Sequence, residues 1–198
     1  MRFFASSHRL VQLAPRTRWL LLGLLAFLAL QLCSGIAMHH AGPGWSGASV
    51  AAHYGAPDLA AASPATDPFG GLNGFGSAPP PPSAPPDRGL AASSIVETAH
   101  IHLAIMPLVV FTVAHVFAMT GLGRRRFSGL IAGVAYLGVL GDVGFPFLVR
   151  EFGALWAWPK LLAFWLLVGG LAFMLAWCAG AVLASFRSPR RSDRDGAQ

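Results

Sequence analysis

Long apolar blocks constrain this chain more than any other feature. The stretches from Trp19 to Met38, Ile95 to Leu122, Phe127 to Val149 and Ala154 to Phe186 are dominated by Leu, Ala, Val, Phe and Gly. Each reaches across a hydrocarbon layer of about 30 Å at about 1.5 Å of rise per residue. The blocks predict an all-α, polytopic membrane bundle of four transmembrane helices. The first span covers 19–40. A three-helix membrane core covers 95–186, with spans at 95–122, 127–149 and 154–186. Composition agrees: of 198 residues, 55% are apolar and only 11% are charged. A water-soluble domain carries roughly 25% charged residues.

The positions of the charges set an expected orientation. The net charge is +6, a balance that in a soluble protein would suggest nucleic acid. Here eleven of the fourteen basic residues flank the spans: Arg2, Arg9, Arg16 and Arg18, then Arg124 to Arg126, then Arg187, Arg190, Arg191 and Arg194. Alternate connections carry them, which is the positive-inside pattern. The basic leader 1–18 and the basic tail 187–198 are therefore expected in the cytoplasm, with the chain in a bacterial inner membrane. No folded soluble face is left to bind nucleic acid. The expected partners are the lipid bilayer and either another membrane protein or further copies of the chain.

Span one has a rival reading as a cleaved signal peptide. The basic leader, the Leu-rich core and Gly35-Ile36-Ala37 permit cleavage, although the core is longer than usual. Residues 41–94 follow, and Gly42 to Ser94 holds ten prolines, including the run Pro79 to Pro82. It has no helical or strand period and reads as a disordered, partly polyproline-like extracytoplasmic loop. Its aromatic residues Trp45, Tyr54, Phe69 and Phe75 are expected on the membrane surface or on a partner. Arg150-Glu151 is expected to form the tight turn between spans three and four. Cys33 and Cys178 fall near opposite membrane faces, too far apart for a disulfide, and read as small buried side chains.

The ionisable residues cluster toward the extracytoplasmic side. His39 and His40 close span one. Glu97, His100 and His102 open span two, Asp142 lies in span three and Lys160 in span four. Counted from the outer ends, His102, Asp142 and Lys160 share a depth of about 10 Å. An ionisable group in lipid costs roughly 3 kcal/mol, so Asp142 should face its neighbours. Pairing of Asp142 with Lys160 would lock spans three and four; snorkelling of Lys160 to the surface is the alternative. His100 and His102 lie about 200° apart on a helix and cannot serve one ligand together. They can serve two ligands on opposite faces, or one can ligate while the other faces the interface. With His39 or His40, either would complete a bis-imidazole b-type haem. A small site for zinc, copper or iron, drawing on His102, His100, Asp142 and Glu97, is the other option. His102, the deeper of its pair, is the preferred ligand. His115 stands alone near the inner end and reads as a hydrogen-bonding group. Pro107, Pro146 and Pro159 each lie beside a polar position and predict kinks there.

The segment His100-Ile101-His102-Leu103 resembles the His-x-His-Leu of the haem-copper oxidase and nitric oxide reductase large subunits. The resemblance covers a few residues, and the other ligands of that family are absent. A wider resemblance, from about Glu97 to the end of span four, is to uncharacterised small four-helix bacterial inner-membrane proteins. These have a His-x-His-Leu span followed by one carrying Asp near its outer end, here Gly141-Asp142-Val143-Gly144. That group brings an architecture and no established activity. The expected function is electron transfer or metal handling at a haem or metal site. The alternative is a non-catalytic accessory or assembly subunit whose polar layer packs helices. A proton or ion path through Glu97, Asp142 and His102 lacks a polar route across the inner half. No Ser/His/Asp nucleophile set, phosphate-binding loop or CxxC site appears, so the sequence names no catalytic residue.

Overall fold

The computed structural model describes residues 13–57, 89–120 and 127–187. They form an all-α membrane protein with four helices long and apolar enough to cross a bilayer. In chain order these are α1 (Pro15–Ala41), a short α2 (Gly47–Tyr54), α3 (Ala92–Ala118), α4 (Phe127–Phe152) and α5 (Ala157–Arg187), with a 3-10 turn at Ala154–Trp156 before α5. The spans α1, α3, α4 and α5 carry exposed Leu, Ile, Phe and Trp side chains such as Leu20, Leu108, Leu137 and Leu162. Lipid is the solvent such surfaces require.

The helix ends follow local chemistry. Pro15 opens α1, where its fixed φ suits a helix start and its missing N–H costs nothing. At the end of α3 the amides of Met119 and Thr120 bond to the carbonyls of Val116 and Phe117, and the Thr120 hydroxyl donates to Phe117 at 2.7 Å. These i to i+3 bonds satisfy carbonyls that a helix end leaves unpaired. The turn expected at Arg150-Glu151 is displaced. Both residues are helical, and Gly153, at φ 101, makes the break instead. That backbone conformation suits glycine and few other residues. Arg150 is tied down by its guanidinium, which donates to the Leu90 carbonyl.

The loop expected to be disordered contains α2. Ser46 caps it, accepting from the Ser49 amide at 3.0 Å, while the Ser49 hydroxyl accepts from the Ser46 amide at 3.1 Å. At the other end Gly55, at φ 72, closes a Schellman turn with Ala56. Eight residues cannot hold a helix alone in water. Packing supplies the rest: Val50, Ala51 and Ala56 are buried with Val149, Ala157 and Leu161. The chain also returns against α2, with the Leu90 amide on the His53 carbonyl at 2.9 Å. The remainder of the predicted loop, 58–88, and Arg124–Arg126 lie outside the described residues, as do most of the leader and tail.

The contacts divide the chain into two compact units. The first takes in residues up to Ile36, Ile105–Leu137 and the chain from Leu166. Val110, Val113, Phe117, Ala135, Met174, Cys178 and Val182 are among its buried apolar residues. Arg18 fastens α1 there: its guanidinium donates to the Ser185 carbonyl at 2.7 Å and to the Leu13 carbonyl at 3.0 Å, and lies 5.7 Å from the Phe186 ring. The second unit takes in Ala37–Ala104 and Gly138–Trp165. It holds α2 and most of the ionisable residues singled out above. Inside it, α4 and α5 approach closely at Gly141, where a Cβ would stand 2.6 Å from that of Ala163.

Candidate functional site: an ion pair beneath an aromatic stack

Asp142 and Lys160 meet directly within the second unit. The Lys160 ammonium donates to Asp142 Oδ1 at 2.5 Å, and the lysine side chain is 3% exposed. Gly141, one residue from Asp142, lets α5 come near enough for this. The pairing agrees with the depth count from the sequence, and Lys160 does not snorkel. A buried cation needs such a partner, since an isolated charge in a low-dielectric interior is strongly unfavourable. The Lys160 ammonium also lies 5.5 Å from the centre of the Phe164 ring, one helical turn along α5.

Phe164 begins a stack that brings in α1. The His39 ring centre is 3.9 Å from that of Phe164 and 4.8 Å from that of Trp45. Trp45 in turn lies 5.3 Å from Trp165. Its indole N–H donates to His40 Nδ1 at 2.7 Å, so a neutral His40 carries its proton on Nε2. His39 is 6% exposed, and among the described residues neither of its ring nitrogens has a hydrogen-bond partner. An unsatisfied buried polar group costs about 1–3 kcal/mol. Trp45, expected on the membrane surface or on a partner, lies against four rings of its own chain, those of His39, His40, Phe164 and Trp165, and keeps 38% of its surface exposed.

Two further polar side chains come from α2. Burial, and secondarily the Lys160 charge, lowers the His53 pKa from its ordinary value. Burial, and secondarily the Asp142 carboxylate, raises that of Tyr54. The two rings meet edge to face at 4.9 Å. The neutral forms of both are favoured beside the ion pair.

Among the described residues, none of the other expected site residues hydrogen-bonds to or stacks on this cluster. His102 is half-buried, whereas His100 and Glu97 are exposed. Among the described residues no group of three or more His, Cys, Asp or Glu side chains is placed to hold a metal ion. His115 is exposed and stacks at 6.0 Å on Phe111. Cys178 is a buried free thiol as expected, but Cys33 is exposed. Sequence reading missed Phe164, Trp165 and His53. Of these, Phe164 and Trp165 had a usable signal, since they follow Lys160 by four and five residues on the same helix.

Residues 89–188 match a family of transmembrane helical domains, Aq_1264_TM. The chain belongs to that family. The match takes in α3, α4 and α5 and leaves α1 and α2 outside. It agrees with the wider resemblance read from Gly141-Asp142-Val143-Gly144 and shows no likeness to the haem-copper oxidases. No curated protein and no solved structure matches the chain. Within the family domain lie the ion pair, Phe164 and Trp165; His39, His40, Trp45 and His53 are contributed by the preceding segment.

Proposed function

We propose that the chain is a non-catalytic accessory or assembly subunit of a larger complex in a bacterial inner membrane, with both termini cytoplasmic. One observation carries this reading: the buried ammonium of Lys160 and the carboxylate of Asp142 neutralise each other. Charges so engaged hold helices in register and are not free to bind a substrate or carry a proton. The exposed His100 and Glu97 add no ligand to the stack. Solubilisation of native membranes in mild detergent, with a tag on the chain, tests the reading. A membrane partner should co-purify in stoichiometric amount. A monodisperse chain, pure and carrying a cofactor, would overturn it.

A second reading is supported by His39. Its two unpartnered ring nitrogens, buried beside the exposed edge of His40, are what a ligand to a b-type haem or to zinc, copper or iron requires. On this reading His39 replaces His102 as the leading ligand. An absorption spectrum with metal analysis decides it. A Soret band or bound metal in the purified chain, lost in His39→Ala, is the expected result. Protein purified from cells replete in haem and metals, yet containing neither, excludes the second reading.

A further inference from the structure

The exposed ionisable pair on α3 has no place in the ion-paired stack. Ser93, Glu97, His100 and Ala104 follow one another at intervals of four, three and four residues and share one face of the helix. All four are exposed, whereas Ile95 and Ala99 on the other side are 4% and 9% exposed. Glu97 and His100 meet no partner among the described residues. Helix α3 has 27 residues and is about 40 Å long, against a hydrocarbon layer of about 30 Å. His100 lies about 12 Å from the helix start and so falls inside that layer when the helix is centred. Intramembrane ionisable groups face protein or a water-filled cavity. Lys and Arg, with their long stems, reach the headgroups most readily from such a depth; the shorter side chains of Glu and His reach less far.

We infer that this face of α3 is the contact between two copies of the chain. All copies insert with the same topology, so two α3 helices that meet must run parallel about a two-fold axis along the membrane normal. The face is self-complementary under that operation. Glu97 of each copy faces the neighbourhood of His100 on the other, one helical turn away, and the imidazole N–H donates to the carboxylate twice over. Ala104 supplies the small side chain that lets the backbones approach. A different membrane protein on this face would need to bring its own counter-groups, whereas a second copy already has them. This inference is independent of the accessory-subunit reading, because a pair of identical chains can form with or without a further partner.

Disulfide trapping of the full chain in membranes tests it. In a Cys33→Ser, Cys178→Ala background, single cysteines are placed on the face (Ser93→Cys, Ala104→Cys) and beside it at the exposed Val96→Cys and Leu103→Cys. Bridged Cα atoms lie within about 7 Å, so mild oxidation reports close approach. Dimer at twice the chain mass is expected at least five-fold more from the first set than from the second. Adding Glu97→Gln to Ala104→Cys should reduce its yield several-fold. Equal yields from both sets, a monomer at every position in chains shown to be inserted, or cross-links to a protein of different mass would overturn the inference. An unchanged yield with Glu97→Gln would overturn the Glu97–His100 pairing.

Discussion

Lys160 and Asp142 show how one contact sets the chemistry of its surroundings. Replacing either alone, as in Asp142→Asn or Lys160→Met, strands a buried group and should destabilise the chain by about 3 kcal/mol. The double variant Asp142→Leu, Lys160→Met should recover most of that loss, read by thermal unfolding in detergent. His53 gives a pH dependence. Its pKa is lowered in the fold, so the unfolded chain binds the extra proton. Its contribution to stability is complete above the ordinary pKa of about 6.5 and is lost as pH falls through and below that value. Amide exchange in α2 should therefore accelerate on acidification in the parent chain more than in His53→Gln; equal acceleration would remove His53 from the account. The ion pair was legible beforehand because helical rise is fixed, so counting residues from the span ends gives depth. The rings of His39 and Trp45 were not legible in this way. Their meeting depends on the path of Gly42 to Gly44, which no periodicity describes.

At the scale of elements, the four spans were readable because lipid leaves the backbone few alternatives and demands long apolar runs. Helix α2 escaped notice because eight residues are too few to display a period. Its signals were local: Ser46 and Ser49 at cap spacing and Gly55 at the far end. Ser46→Ala should cost about 1 kcal/mol of helix stability and raise exchange at the Val50 and Ala51 amides while leaving the spans protected. Helices α4 and α5 depend on a different local feature, the missing side chain at Gly141. Gly141→Val should destabilise the protein by about 1–3 kcal/mol through overpacking against Ala163. Shortening the opposed residue, Ala163→Gly, in the same chain should restore part of the loss in an unfolding titration.

The whole molecule couples a family domain of three helices to a preceding segment that completes its polar cluster. The proposed topology, with four spans, puts both termini on the cytoplasmic side of the membrane. Alkaline phosphatase fused after Gln198 should be inactive, and a cysteine at Ser49 should react with an impermeant reagent from outside the cell. An active fusion or a protected cysteine would invert the topology. The tie from Arg18 to the Ser185 carbonyl joins groups 167 residues apart in the chain. Biosynthesis is vectorial, and ribosomes add about 5–20 residues per second. The first span therefore waits in the bilayer for about ten to thirty seconds before its anchor exists. Throughout that interval Arg18 lacks the Ser185 carbonyl, which makes the birth of this protein, more than its finished state, the stage at which a chaperone or insertase would matter.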